Sequence, residues 1–204
     1  WLRRQRQMCI RDRIYSQGEM PISLSVHENL LYVLNAGGSG NISGFRSNKG
    51  HLSFIYGSKQ PLSSSSAGGA QVSFNNTGDQ LVVTEKATNR ITTYAVGADG
   101  RASSGTSYAS AGQTPFGFEF TPDGSIIVSE AFGGGANAST VTAYDLMADG
   151  SVSSTSGPVA TGQTAACWVV VTNDGEFAYA SNTGSNNVTG FRIRDNGQLA
   201  LLEG

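Results

Sequence analysis

Two glutamates, Glu85 and Glu130, stand at the same point of two copies of a recurring pattern, as the last residues of LVVTE and IIVSE. Carboxylates that lie close together can divide the roles of general acid and general base, because like charge and burial raise the pKa of one of them. Such a base can activate water for attack on an ester carbonyl. We therefore predict that Glu85 and Glu130 are catalytic. The alternative is that both accept hydrogen bonds from nearby loop amides and hold the fold together.

Six further residues are predicted to bind a ligand beside the two glutamates. Lys86 and Arg90 follow Glu85 in one loop, where a cation could hold a phosphate or a carboxylate, Arg as a bidentate fork. The alternative for both cations is a position in solvent. The other four either match the glutamates in the remaining copies of the pattern or lead into an apolar segment: Asn35, Asn182, Gln113 and Phe116.

A repeat of about fifty residues must position these side chains. Its turn glycines recur at intervals of 50, 50 and 47 residues, at Gly50, Gly100, Gly150 and Gly197. The second apolar segments of the four copies are LYVLN (31–35), LVVTE (81–85), IIVSE (126–130) and AYASN (178–182). The third segments end in an aromatic residue and are ISGF (42–45), ITTY (91–94), VTAY (141–144) and VTGF (188–191).

The residue types of each copy favour β-strands. Val, Ile, Phe, Tyr and Thr suit a pleated sheet, and turns such as Pro122-Asp123-Gly124 suit short hairpins. First segments such as 168–171 are apolar on both faces, which predicts buried strands, whereas polar fourth segments such as 101–108 predict an edge. Four strands per copy therefore predict an all-β fold, a β-propeller of four-stranded antiparallel blades. A β-sandwich, the structural alternative, predicts no such register.

The predicted blades span residues about 20–62, 69–110, 114–160 and 164–204 of a body that covers residues 14–204. Residues 1–13 carry five Arg against one Asp. We interpret this basic tail as disordered or foreign to the fold; the alternative is an arm that binds nucleic acid or an anionic membrane. The body has no basic field to suggest nucleic acid and no apolar run long enough for a membrane helix, so we predict neither partner.

The sequence predicts neither a metal nor a cofactor. Cys9 lies in the tail and Cys167 is the one cysteine of the body, which argues against a disulfide or a cysteine-based zinc site there. We find no Gly-x-Ser-x-Gly elbow, no HExxH motif and no EF-hand loop.

Three stretches resemble the lactonase-type seven-bladed β-propellers: LYVLNAGGSGNISGF (31–45), TPFGFEFTPDGSIIVSE (114–130) and NNVTGFRIRDNGQL (186–199). That family includes the propeller-type 6-phosphogluconolactonases and the carboxymuconate-lactonizing enzymes. The resemblance covers about residues 20–204 and implies seven blades, of which four are present here. We therefore expect the chain to be a fragment. The alternative is a natural four-blade unit that self-associates through its open apolar faces.

The resemblance also implies a hydrolase of a sugar-type lactone, which binds a small-molecule lactone or sugar acid beside Glu85 and Glu130. Two alternatives stay open: a non-catalytic propeller that binds or scaffolds a partner, and a lactonizing isomerase of the carboxymuconate type. Scarce lysine and four Asn-x-Ser/Thr triplets are compatible with a periplasmic or secreted protein, and a cytoplasmic location stays open.

Overall fold

The computed structural model describes residues 13–202, so the tail predicted over residues 1–13, with Cys9, lies outside the described residues apart from Arg13. Within this range the chain folds into four antiparallel sheets that follow one another in sequence, with a 3₁₀ turn at Phe132–Gly134. Each sheet is one blade. The prediction of an all-β, partial β-propeller is confirmed.

The strands of each blade run in chain order from the inside of the sheet to its outer edge. Blade 1 comprises β1 (Glu19–His27), β2 (Leu30–Gly37), β3 (Asn41–Asn48), β4 (His51–Phe54) and β5 (Gln60–Pro61). Blade 2 comprises β6 (Gly69–Phe74), β7 (Gln80–Glu85), β8 (Arg90–Ala95) and β9 (Thr106–Ala109). Blade 3 comprises β10 (Pro115–Phe120), β11 (Ile126–Glu130), β12 (Thr140–Leu146) and β13 (Val152–Ala160). Blade 4 comprises β14 (Ala166–Val171), β15 (Phe177–Asn182), β16 (Asn187–Ile193) and β17 (Leu199–Leu201).

The outermost strands differ from the prediction. In blade 2 the fourth strand predicted over 101–108 is confined to β9, preceded by an isolated bridge between Val96 and Ala102. In blade 1 it is divided into β4 and β5, which both pair with β3. An outermost strand has a neighbour on one side only, so its polar residues do not impose a continuous ladder.

Apolar side chains fill the interfaces between successive blades. Because side chains alternate between the two faces of a strand, each second strand sends one set toward the preceding blade and the other toward the following blade. Tyr32 and Ile42 of blade 1, for example, are fully buried in one cluster with Phe74 and Leu81 of blade 2. Burial of each such side chain stabilises the fold by about 1.5–3 kcal/mol.

Hydrogen bonds cross the same interfaces. The Tyr32 hydroxyl donates to the carbonyl of Gly100 in blade 2 at 2.8 Å. The hydroxyls of Thr84 and Ser129, at equivalent points of blades 2 and 3, donate to carbonyls at the start of the following first strand, those of Phe116 (2.5 Å) and Cys167 (3.0 Å). These bonds hold successive blades in register.

Candidate functional site

One end of the blades, which we call the mouth, carries the loop after each second strand and the connection into each first strand. The two kinds of loop are joined by backbone hydrogen bonds of 2.9–3.0 Å from Lys86 to Gly68, from Ala131 to Thr114 and from Thr183 to Ala165. Thr114 and Ala165 adopt positive φ values of 57° and 55°, a conformation that costs free energy for residues other than glycine. The paired loops hold these residues in that conformation.

Every first strand carries a β-bulge at the mouth. The register shifts between Pro21 and Ser23, between Gly69 and Gln71, between Pro115 and Phe118, and between Ala166 and Trp168. Bulges re-aim side chains and are frequent next to active sites. Phe116 lies inside the bulge of blade 3.

Side chains from three successive blades meet at the mouth. Lys86 of blade 2 places its Nζ 4.8 Å from the ring centroid of Phe116 in blade 3. The Phe116 ring in turn meets Trp168 of blade 4 at a centroid distance of 5.3 Å and an angle of 87°. A cation above one ring and an edge-to-face pair of rings are both favourable arrangements. We call Lys86, Phe116 and Trp168 the mouth cluster.

The structure thus brings together two residues that the sequence singles out, Lys86 and Phe116, and adds a third. Trp168 was predicted to lie in a buried first strand, but Trp168 is 50% exposed and Val170 is 55% exposed, so that prediction is wrong for both. The signal that could have identified Trp168 is its place at the start of a first strand, as for Phe116.

Glu85, the last residue of β7, is fully buried. Its carboxylate accepts a hydrogen bond from the backbone amide of Ser63 at 2.9 Å, and further bonds from the hydroxyls of Ser63, Thr88 and Thr92. Ser63 belongs to the connection from blade 1 to blade 2. Glu85 therefore ties that connection to the strands of blade 2.

Glu130, the last residue of β11, is also fully buried and has the same kind of surroundings. Its carboxylate accepts the backbone amide of Gly112 at 3.1 Å. Its other donors are the hydroxyls of Ser110, Thr140, Thr142 and Tyr144. Because Ser110 and Gly112 lie in the connection from blade 2 to blade 3, Glu130 ties that connection in place.

Burial sets the protonation behaviour of this second carboxylate. Desolvation raises the pKa of Glu130, and hydrogen bonds from Thr140, Thr142, Tyr144 and Gly112 partly oppose the rise. Burial, together with the nearby charge of Glu130, raises the pKa of Tyr144 to about 12, so the phenol stays protonated and can keep donating.

The two glutamates are enclosed separately rather than as a pair. Among residues 13–202, no group donates to both carboxylates. A general base must reach the proton that it removes, directly or through one water, whereas these carboxylates are buried and saturated with donors. The geometry is that of two carboxylates that position loops.

Asn35 and Asn182 occupy the equivalent points of blades 1 and 4 and are buried as well. Asn35 donates from Nδ2 to the Ser16 carbonyl at 3.1 Å and to Asn41 at 3.0 Å. Asn182 donates from Nδ2 to Asn187 at 2.9 Å and to Thr189 at 2.8 Å. Both side chains thus serve the fold, and neither is exposed to a ligand.

The remaining two predicted ligand contacts are exposed at the surface. Arg90 donates from its guanidinium to the Ser107 carbonyl of the outermost strand at 3.5 Å. Gln113 lies in the connection into β10, and its carbonyl accepts the Phe132 amide at 3.1 Å.

No group of three or more His, Cys, Asp or Glu side chains in the described part of the chain could hold a metal ion. Cys167 is half-buried and free. None of the helical segments described is long and apolar enough to cross a membrane.

Comparison with solved structures shows the fold. The chain superposes on a protein of unknown function from Desulfotomaculum acetoxidans DSM 771 with a TM-score of 0.73 and 16% identity, covering 90% of this chain and 55% of that one. It superposes on the periplasmic gluconolactonase of Pseudomonas aeruginosa with a TM-score of 0.70 and 19% identity, covering 90% and 56%. For virginiamycin B lyase from Staphylococcus aureus the TM-score is 0.60 and the identity 17%, with coverage of 90% and 55%. The chain thus spans about half the length of these solved relatives.

Sequence comparison identifies the family. No curated protein sequence matches the chain. The sequence model of the family described as "Lactonase, 7-bladed beta-propeller" matches residues 39–149 and 136–204, which is most of the body. The repeats, the four blades and this match agree, and the chain belongs to the lactonase family of seven-bladed β-propellers.

Proposed function

We propose that this lactonase-like propeller hydrolyses a sugar-type lactone that carries an anionic group and binds at the mouth. The observation that carries the proposal is the mouth cluster. Aromatic side chains such as Phe116 and Trp168 offer an apolar surface to the C–H groups of a sugar ring. Lys86 offers a positive charge to a phosphate or carboxylate on the same molecule.

Under this proposal the glutamates act as positioning residues. Glu130 holds the connection that leads to Phe116, and Glu85 immediately precedes Lys86. The two carboxylates would therefore set the distance between the cation and the ring. The catalytic role that the sequence predicts for Glu85 and Glu130 stays a prediction.

A second candidate function is supported by the burial of the same two glutamates. A mouth that presents a cation and two aromatic rings, while its carboxylates are occupied by the fold, suits a propeller that binds a sugar acid without hydrolysing it. Separate measurements of lactone hydrolysis and of ligand binding distinguish the two functions for the whole protein.

The experiment compares 6-phosphogluconolactone with the uncharged gluconolactone. Hydrolysis releases a proton, so a pH-stat follows it, and calorimetry with 6-phosphogluconate measures binding. We expect Lys86→Gln to raise the KM or Kd of the phosphorylated ligand about tenfold and to leave the uncharged ligand unaffected. Lys59→Gln, which removes an exposed lysine of blade 1, is the matched control.

The outcomes separate the two functions. Acid release that depends on Lys86 supports the hydrolase. Binding without acid release supports the binding module. If Lys86→Gln changes neither binding nor turnover of the phosphorylated ligand, the mouth cluster is not the ligand site.

A further inference from the structure

One loop of the mouth is longer than its counterparts. The loop after the second strand of blade 3 spans residues 131–139, whereas those of blades 1, 2 and 4 span residues 38–40, 86–89 and 183–186. The long loop contains three consecutive glycines, Gly133-Gly134-Gly135. We call residues 131–139 the strap.

Both ends of the strap are anchored in the fold. Ala131 is buried, and its amide donates to the carbonyl of Thr114 at 3.0 Å. Ser139 is fully buried; its amide donates to the Gln163 carbonyl at 3.1 Å, and its hydroxyl accepts the amide of Ala166 at 3.0 Å. These bonds join the two ends to the connections into β10 and β14, so the ends are fixed to blades 3 and 4.

The middle of the strap, residues 133–137, is exposed and lightly held. Apart from bonds within the strap, two hydrogen bonds join it to the rest of residues 13–202. The amide of Gly133 donates to the Thr114 hydroxyl at 3.0 Å, and the amide of Asn137 donates to the Thr164 hydroxyl at 2.9 Å. We call these two bonds the latches. A Cβ added to Gly133 would meet no atom within 4 Å, and segments with few packing contacts open at a low cost in free energy.

The latches lie beside the mouth cluster. Thr114 precedes Phe116 by two residues, and Thr164 precedes Trp168 by four. The ring centroids of Phe116 and Trp168 are 5.3 Å apart. Because an extended chain spans at most about 3.3–3.6 Å per residue, the seven residues between the anchored ends can arch about 11 Å. The strap can therefore reach a ligand that lies on the two rings.

Phe132 gives the strap an aromatic ring in a costly conformation. Its φ is 49°, which is an outlier for a bulky residue and costs free energy. Its amide donates to the Gln113 carbonyl at 3.1 Å, and this bond holds it in place. A movement of the strap would release the strain and so offset part of the cost of breaking the latches.

A ligand at the mouth can replace what the latches lose. The hydroxyl, carboxylate or phosphate oxygens of a sugar acid can accept hydrogen bonds from the amides of Gly133 and Asn137, as the threonine hydroxyls do here. A glycine backbone can approach such oxygens closely. Because one N–H···O bond is exchanged for another, the net change is small, and the remaining contacts of the ligand decide the position of the strap.

We propose that the strap is a lid, which leaves the latches and closes over a ligand bound at the mouth. The latched position is the open one, and in the closed position the ring of Phe132 covers the ligand and excludes water from it. The inference rests on the proposed function, because the ligand that closes the lid is the anionic lactone or sugar acid on the mouth cluster.

The first test is hydrogen exchange of the 204-residue chain with and without 6-phosphogluconate, measured by mass spectrometry on peptides that cover the strap. We expect saturating ligand to slow the exchange of residues 132–138 about tenfold. Without ligand, Thr114→Ala and Thr164→Ala should each speed it about tenfold, because each removes the acceptor of one latch. Thr106→Ala, at an exposed threonine of the outermost strand of blade 2, is the matched control and should change neither.

The second test is the affinity of the same variants, measured by calorimetry. A latch stabilises the open position, so its removal should lower the Kd of 6-phosphogluconate, by about threefold to tenfold. Threonines that merely support the binding site would raise the Kd when they are replaced. Deletion of residues 132–136 leaves a loop of four residues, as in blades 2 and 4, and should raise the Kd about tenfold; circular dichroism verifies that each variant is folded.

The outcomes separate the lid from the proposed function. Binding of 6-phosphogluconate without slower exchange of the strap overturns the lid and leaves the proposed function intact, whereas the absence of binding overturns both. A Kd that rises or stays the same in Thr114→Ala and Thr164→Ala also overturns the lid. So does a folded deletion variant that binds as tightly as the native chain.

Discussion

Blades 3 and 4 receive nearly the same connection and hold it differently. The connections read AGQT over 111–114 and TGQT over 161–164. In blade 3 the amide of Gly112 donates to Glu130, and a Cβ on Gly112 would collide with that carboxylate. In blade 4 the residue at the position of Gly112 is Gln163, because Ala165 there corresponds to Thr114. The amide of Gln163 donates to the Thr161 hydroxyl at 3.0 Å instead of to Asn182, and the Oδ1 of Asn182 has no hydrogen-bond partner within residues 13–202. The repeat places a buried side chain at the end of the second strand in both blades, Glu130 in blade 3 and Asn182 in blade 4. The length and charge of that side chain decide whether it hydrogen-bonds the connection.

The largest expected effect is that of Glu130→Ala. It leaves the buried amide of Gly112 and the hydroxyls around the carboxylate without their acceptor, so we expect the free energy of unfolding to fall by about 3 kcal/mol. Urea denaturation measures the change. Asp195→Ala, which removes an exposed carboxylate of blade 4, should cost less than about 0.5 kcal/mol. Equal stability of Glu130→Ala and the native chain would refute the role of Glu130 as a tether.

A smaller effect is expected for Asn182→Ala. This change removes the hydrogen bonds to Asn187 and Thr189 but also removes a buried carbonyl oxygen that has no partner among the described residues. We expect a loss of about 1 kcal/mol in the same denaturation experiment. If Asn182→Ala cost as much as Glu130→Ala, the contrast between the two blades would not hold.

The smallest expected effect is a pH dependence of stability that originates in blade 3. Because burial raises the pKa of Glu130, the folded chain keeps the proton of this carboxyl at pH values where the unfolded chain has lost it. The stability contributed by the protonated group is present below its ordinary pKa and is lost as the pH rises through the raised pKa. The free energy of unfolding of the native chain, taken relative to that of Glu130→Gln, should therefore fall as the pH rises from the ordinary pKa of a glutamate to the raised pKa of Glu130. Above the raised pKa this difference should stay constant.

Urea titrations of both proteins over a series of acidic to neutral pH values measure this difference. A constant difference between the two, or one that grows in favour of the native chain with rising pH, would show that Glu130 does not have a raised pKa in the folded state. Asp195→Ala again provides the control.

The repeat made most of the fold predictable. Second and third strands lie where the segments that end in Asn or Glu and in aromatic residues predict them, because alternation and turn residues are local signals. The outer strand over 101–108 was less predictable, since an edge with one neighbour has no partner to define its length. The exposure of Trp168 could not be read from WVVV either, because the segment is equally apolar whether or not another blade covers it.

The sequence by itself determined that the chain is modular, that Glu85 and Glu130 are equivalent, and that Lys86 and Phe116 lie at one end of the blades. These conclusions need only spacing and residue type. Only the tertiary structure decided that each glutamate is enclosed by its own set of donors, that Lys86 lies above the Phe116 ring, and that Trp168 completes the cluster. Hydrogen bonds and ring contacts of this kind join residues of different strands and blades, and their geometry depends on bulges and loop conformations that spacing along the chain does not encode.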